Sequence, residues 1–241
     1  MTSAAPASSP PLSSRRPDFG HVETWVFDLD NTLYPRECNL FAQIDALITA
    51  YVIEVTRLDF AAARALQKTY YRDFGTTLNG LMQRHGVDPE HFLRTVHAID
   101  YSPVAAHPAL VEAIAALPGR KYILTNGDVP HARAVLERLG GGGLFDGIHD
   151  VRAMSYRPKP MRAAYEGFVA AYGIDPGRAI FFDDLDKNLV VPHEIGMTTV
   201  HVVAGEDYSH HQVEAWEIER PEGPHIHHRT SDLAAFLKAA I

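Results

Sequence analysis

Three short apolar runs, each cut off by a polar cluster, constrain this chain more than any other feature. They are Thr24-Trp-Val-Phe-Asp-Leu-Asp30, Lys121-Tyr-Ile-Leu-Thr-Asn-Gly127 and Ala179-Ile-Phe-Phe-Asp-Asp-Leu185. Each is short, rich in aromatic or β-branched residues and stopped by polar residues or glycine, which reads as a buried strand. Their apolarity is nearly continuous rather than alternating, which predicts strands covered on both faces and hence a parallel sheet. Thr198 to Val203 reads as a fourth strand and Gly147 to Val151 as a shorter one. Helical patterns fall between them. Asp128 to Leu139 has an acidic cap, Pro130 in its first turn and a stop at the glycines 140–143. Pro160 to Tyr172 stops at Gly173, and Ser231 to Ala240 starts at Ser231 or Asp232. Alternating strands and helices predict an α/β fold with a doubly wound parallel sheet.

One segment breaks the alternation. Between Leu33 and about Ser102 only helical periodicity is found, with Leu40, Ile44, Leu47, Ile48 and Tyr51 recurring at spacings of three and four. Phe60, Ala63, Leu66, Thr69 and Tyr70 continue it. Leu78, Leu81 and Met82 start a shorter helix, and Asp88-Pro89-Glu90 opens another. The expected organisation is therefore a core from residues 19–34 and 103–241, with a small helical insert at 35–102. Residues 1–18, rich in Ser, Pro and Ala, read as a disordered tail without the apolar centre of a secretory signal.

Composition narrows the function. The 241 residues carry 46% hydrophobic side chains and a formal charge of −8, which argues against a nucleic-acid polymer as partner. No apolar run reaches the roughly 18 residues of a membrane span, and a single cysteine, Cys38, fits a reducing, cytoplasmic setting. A small anionic substrate is compatible with this charge, because a local site can oppose the global sign. The expected assembly is a monomer or a homodimer.

In open α/β sheets ligands bind outside the carboxyl ends of the strands, and these ends hold most of the unusual polar residues. Asp28 and Asp30 are two apart, so an extended segment presents both on one side. Alone, the pair fits either a divalent-cation site or a solvated strand end with a helix-capping acid. Asp183 and Asp184 end a second strand in the same manner, followed by Asp186 and Asn188, and this second pair favours the cation. Thr125-Asn126-Gly127 offers a hydroxyl, an amide and free N–H groups that suit phosphate oxygens, though Asn-Gly is also a common turn. Lys159 stands between Pro158 and Pro160, which restrict its backbone, and reads as either a directed cation or a surface loop lysine.

In order, these are Asp-x-Asp-x-Thr, Thr-Asn-Gly, Lys, and Asp-Asp-x-x-x-Asn. The chain resembles the haloacid dehalogenase-like hydrolase superfamily in all four motifs and along nearly its whole length, and the helical insert resembles that superfamily's cap. Asp28-Leu-Asp-Asn-Thr-Leu-Tyr34, Phe74-Gly-Thr-Thr-Leu-Asn-Gly80 and Arg157-Pro-Lys-Pro160 are similar to the pyrimidine 5′-nucleotidase branch. The resemblance implies a Mg²⁺-dependent phosphatase acting on a small phosphorylated metabolite. Asp28 would be the nucleophile that forms an aspartyl-phosphate, and Asp30 the general acid and base. Mg²⁺ would be held by the Asp28 carboxylate, the Asp30 backbone carbonyl and Asp184, with Asp183 binding directly or through water. Thr125, the Asn126 backbone and Lys159 would bind phosphate oxygens, with Thr32 and Asn188 as supports. Superfamily members that cleave carbon–halogen bonds lack the acid two residues after the nucleophile, so Asp30 favours phosphate esters. The expected substrate is a pyrimidine nucleoside 5′-monophosphate. Another small phosphometabolite, a phosphomutase reaction and a non-catalytic binding role are the alternatives.

Tyr34, Arg36, Phe41, Tyr71, Phe74, Leu78 and Met82 are candidates for either a base-binding wall or the insert's own core. The histidines His210-His211 and His225-Ile-His-His228 invite a zinc reading, but the alternation of His225 and His227 fits one face of an edge strand better.

Overall fold

The computed structural model describes residues 19–203 and 222–241. The expected tail and the pair His210-His211 lie outside them.

Among the described residues, six strands form one sheet: β1 (Thr24–Phe27), β2 (Arg120–Leu124), β3 (Gly147–His149), β4 (Ala179–Asp183), β5 (Thr198–Val202) and β6 (His228–Thr230). Their spatial order is β3-β2-β1-β4-β5-β6, and every neighbouring pair is parallel. The fold is thus the α/β parallel-sheet architecture expected. β1 lies at the centre, between β2 and β4, where the chain's direction of travel across the sheet reverses. Such a switch point opens a crevice at the strands' carboxyl ends.

Side chains alternate across the strands, and both faces are covered. Trp25, Phe27, Ile123, Ile180 and Phe182 point to one side, against α5 (Pro108–Ala116), α6 (Val129–Leu139) and α9 (Leu233–Ala239). Phe27 and Phe182 stack there with ring centroids 4.7 Å apart. Val26, Tyr122, Leu124 and Phe181 point to the other side, against α7 (Arg162–Tyr172) and α8 (Val190–Glu194). Each fully buried large apolar side chain contributes about 1.5–3 kcal/mol. The three short central strands therefore serve as a platform because neither face is left to water.

Segment 35–102 holds a 3₁₀ turn at Arg36–Cys38 and four helices: α1 (Leu40–Thr56), α2 (Phe60–Phe74), α3 (Thr77–His85) and α4 (Pro89–Val96). Their starts follow from local chemistry. The side chains of Asp59, Thr76 and Asp88 accept backbone N–H bonds at the heads of α2, α3 and α4. Ile44, Val52, Ala63, Leu78, Leu81, Phe92 and Val96 form the apolar interior between them.

Several boundaries differ from the sequence reading. β1 stops at Phe27 because a turn follows, with Thr32 and Leu33 donating to the Leu29 carbonyl and Asn31 at φ 59°. α7 begins at Arg162 rather than Pro160, and Asp232 rather than Ser231 caps α9. The edge strand β6 begins at His228, so His225 and His227 precede it instead of lying on its face. His227 Nδ1 accepts from the Thr199 N–H, tying this stretch to β5. The short helices α5 and α8 carry no strong periodic signal and were not anticipated.

Candidate active site at the carboxyl edge of the sheet

The register of the three central strands builds the site. Phe27 is level with Ile123 on one side and with Phe182 on the other. The next residues along are Asp28, Leu124 and Asp183, and the Asp28 N–H donates to the Phe182 carbonyl at 2.8 Å. Motifs 155 residues apart in sequence thus emerge side by side.

Asp28, Asp183 and Asp184 are all buried, and each offers an oxygen within 4.8 Å of the others'. Lys159 is buried among them. Its Nζ donates to Asp28 Oδ1 and Asp183 Oδ2, both at 2.7 Å. Asn188 donates to both Asp183 oxygens and the Leu185 N–H donates to Oδ1, so protein groups take up that carboxylate fully. Asp184 is different: Oδ2 accepts from Arg36 Nη2 at 2.6 Å. Thr32 donates to Asp28 Oδ2 at 3.4 Å.

Three carboxylates thus face two cations. Burial, opposed by Lys159 and reinforced by the neighbouring acids, pushes the Asp28 carboxyl well above the usual carboxylate range. Burial also raises Asp184 to about 6, against the pull of Arg36. Asp183 and Asp28, overcoming desolvation, hold the Lys159 ammonium above its ordinary value. Excess negative charge on hard oxygen donors is what a divalent cation relieves, so the cluster suits one.

Asp30 lies apart from this cluster in its contacts. Tyr34 Oη donates to its Oδ1 at 2.6 Å, and His131 Nε2 lies 2.7 Å from the same oxygen. Burial alone would raise its pKa, but the charge and hydrogen bond of His131, with that of Tyr34, bring it down to about 2. The His131 imidazole is raised in turn, the Asp30 charge outweighing desolvation.

The second strand end is placed as the spacing required. Thr125 is fully buried, and its Oγ1 accepts from the Gly127 N–H at 3.0 Å. Asn126 and Lys159 bond reciprocally, Nδ2 to the Lys159 carbonyl and the Lys159 N–H to Oδ1. The Asn126 side chain therefore fastens one loop to the other. A methyl group on Gly127 would meet His131 at 3.1 Å, Thr125 Oγ1 at 3.4 Å and Asp30 Oδ2 at 3.7 Å, so this glycine is where the backbone approaches both sides of the site.

All nine sequence-nominated residues gather at this edge: Asp28, Asp30, Thr32, Thr125, Asn126, Lys159, Asp183, Asp184 and Asn188. The residues that could serve a base wall or the insert's core have varied surroundings. Tyr34 and Arg36 bond the acids, Leu78 is buried among the inserted helices, and Tyr71 receives Lys187, whose Nζ lies 2.9 Å from its hydroxyl. Sequence reasoning missed His131, Tyr101 and His97. A clue for His131 was available, since a histidine three residues after the capping Asp128 sits on the first turn of α6, just beyond Thr125-Asn126-Gly127.

A parallel sheet whose switch point carries buried acids around a lysine is an α/β architecture with a candidate active site at its carboxyl edge. A family model described as haloacid dehalogenase-like hydrolase matches residues 22–189, and the chain belongs to that family. Solved structures agree on the fold. CbbY from Rhodobacter sphaeroides in complex with phosphate is similar at TM-score 0.61 and 15% identity, covering 90% of this chain and 99% of that one. L-2-haloacid dehalogenase from Xanthobacter autotrophicus is similar at TM-score 0.55 and 16% identity, covering 90% and 97%. The HAD-hydrolase YfnB from Bacillus subtilis, bound to magnesium, is similar at 0.55 and 15%, covering 91% and 98%.

Proposed function

We propose that the protein is a Mg²⁺-dependent phosphatase that hydrolyses small phosphate monoesters through an aspartyl-phosphate on Asp28. The observation that carries this reading is the pair of acids with separate surroundings: Asp28 inside the lysine–carboxylate cluster, Asp30 held outside it by Tyr34 and His131. A dehalogenase needs the first carboxylate only. A phosphatase needs a nucleophile and a distinct proton carrier.

Asp28 would attack phosphorus while Asp30 gives a proton to the departing ester oxygen, releasing the alcohol. Water then attacks the phosphorus of the aspartyl-phosphate and loses a proton to Asp30, which frees inorganic phosphate and restores Asp28. Asp30 is ionised in the present arrangement, the state that accepts a proton from water. Negative charge on a bound ester raises its proton affinity for the donating step. Lys159 and Thr125, with the Asn126 backbone, would hold the remaining phosphate oxygens, while Thr32 and Asn188 steady Asp28 and Asp183.

Asp28, Asp184 and the Asp30 carbonyl would hold Mg²⁺. Asp184 is favoured over Asp183 as a direct ligand, because Asp183 already accepts from Lys159, Asn188 and Leu185 whereas, among the described residues, Asp184 Oδ2 accepts from Arg36 alone. Bound there, the cation would screen the nucleophile from an anionic substrate and stabilise charge on the transferring group.

Pyrimidine nucleoside 5′-monophosphates are the proposed substrates, on the resemblance of residues 28–34, 74–80 and 157–160 to that branch. Phosphate release from UMP, CMP, dUMP, dTMP, AMP, GMP, sugar phosphates and cofactor-precursor phosphates, with Mg²⁺ or with EDTA, tests the reading. Mg²⁺-dependent release favouring UMP and CMP, and lost in Asp28→Asn, supports it. Preference for another ester keeps the mechanism and removes the nucleotidase assignment. A folded protein silent across the panel removes both.

A further inference from the structure

The two oxygens of Asp30 have unequal surroundings. Oδ1 is fastened twice, by the Tyr34 hydroxyl at 2.6 Å and by His131 Nε2 at 2.7 Å. Oδ2 accepts no hydrogen bond among the described residues and lies toward Gly127 and Thr125. An aspartate carboxylate turns easily about its terminal bond, whose torsional well is broad. Two donors on one oxygen remove that freedom and leave the other aimed at the strand ends.

His131 is itself held from every side. Its side chain is wholly buried, and its backbone N–H donates to the capping Asp128. The ring lies flat against His97, with centroids 4.5 Å apart and planes 13° from parallel. Nδ1 is 3.0 Å from the Tyr101 hydroxyl, which also donates to the His97 carbonyl at 3.1 Å. His97 Nδ1 comes within 3.1 Å of Asp128 Oδ1, although off the hydrogen-bonding direction. A histidine buried only to fill space needs no such clamp, nor a carboxylate on its second nitrogen.

We propose that His131 is a positioning residue: with Tyr34 it immobilises Asp30 Oδ1, so that Oδ2 is the oxygen that exchanges the proton with the ester and with water. This rests on the phosphatase reading above and assigns its proton-transfer geometry. Tyr101 and His97, which return the chain from the inserted helices to the core, act through the imidazole.

The test compares leaving groups in the full-length protein with saturating Mg²⁺. Proton delivery matters most where the leaving oxygen is basic. His131→Leu is therefore expected to lower kcat/KM for glycerol phosphate about 100-fold, yet for p-nitrophenyl phosphate by no more than about 3-fold. His131→Gln, which keeps an N–H near the position of Nε2, recovers most of the loss. A second readout needs no turnover: in ¹H–¹⁵N spectra the His131 Nε2–H resonance, present in the wild type, shifts or vanishes in Asp30→Asn. Equal losses on both esters in an active, folded His131→Leu protein, or an imidazole resonance indifferent to Asp30→Asn, overturn the positioning role. A wild type inert toward both esters and silent across the panel above overturns the phosphatase reading, and this role with it; where only an ester of that panel turns over, the imidazole resonance decides.

Discussion

Asp28 and Asp30 are two residues apart, yet their surroundings follow opposite plans. Asp28 joins a cluster whose other acids come from a strand end, Asp183 closing β4 and Asp184 following it, with Lys159 added by the loop before α7. That cluster is short of positive charge, which pushes Asp28 and Asp184 upward in pKa. Asp30 is ringed instead by residues of the connecting segments, Tyr34 leading into the inserted helices and His131 on the first turn of α6. Its surroundings supply more than enough compensation, and its pKa falls to about 2. Strand ends assemble an incomplete charge set that a cation and an anionic ester can complete. The connections hold a carboxylate that already has its partners. Adjacent residues can be driven in opposite directions because a turn begins at Asp30, sending the two side chains into different neighbourhoods.

The comparison breaks most decisively at Asp28. Asp28→Asn is expected to cut phosphate release at least about 1,000-fold, measured as initial rates with saturating substrate and Mg²⁺. Activity near the wild type would remove Asp28 from the chemistry altogether.

Lys159 is next. Replacement by Met leaves Asp28 and Asp183 buried without their shared cation. Breaking a buried pair in this way costs about 3–5 kcal/mol, to be read from urea unfolding in EDTA. If stability were unchanged, the cluster would not depend on its lysine, and the charge argument for a cation would weaken.

The pH dependence of the metal-free protein separates the two carboxylates by sign. Asp184, raised to about 6, binds a proton more tightly folded than unfolded. Its contribution to stability is present below about pH 4 and lost as pH rises through 6. Asp30, lowered to about 2, contributes stability above about pH 4 that is lost as pH falls toward 2. Unfolding followed from pH 2 to 8 in EDTA is expected to show both limbs. Added Mg²⁺ is expected to flatten the upper limb, since an ion held by Asp184 would favour its ionised form.

The smallest effect lies farther out. Arg152, after β3, pairs with both oxygens of Glu90 on α4 at 2.7 and 2.8 Å and so joins the inserted helices to the core. The pair is substantially exposed, so Glu90→Gln is expected to cost no more than about 1 kcal/mol in thermal unfolding. A larger loss would mean that attachment of the helices rests on this contact rather than on their apolar packing.

Much of the Asp28 cluster was legible from residue order, and little of the Asp30 cluster was. A buried parallel strand must be short and apolar, and its end is marked wherever polar residues abruptly follow. Asp28, Thr125, Asp183 and Asp184 therefore announce themselves one strand at a time, and a parallel sheet places all strand ends on one edge. Lys159 was found by its flanking prolines and its place in the motif order. Tyr34 and His131 follow no such rule, since an aromatic residue in a linker and a histidine on a first helical turn are ordinary in sequence.

What the chain determined by itself is five of the six strands, their parallel class, the helical character of the segment between β1 and β2 and the acids at the sheet's edge. These follow from local periodicity and from the cost of burying unpaired polar groups. Tertiary structure alone decided the spatial order of the strands, with β1 between β2 and β4, and the saturation of Asp183 by Lys159 and Asn188. It also decided the meeting of Asp30 with His131, 101 residues away. Those outcomes depend on distances between segments that are remote in sequence, and only the packing of both sheet faces sets such distances.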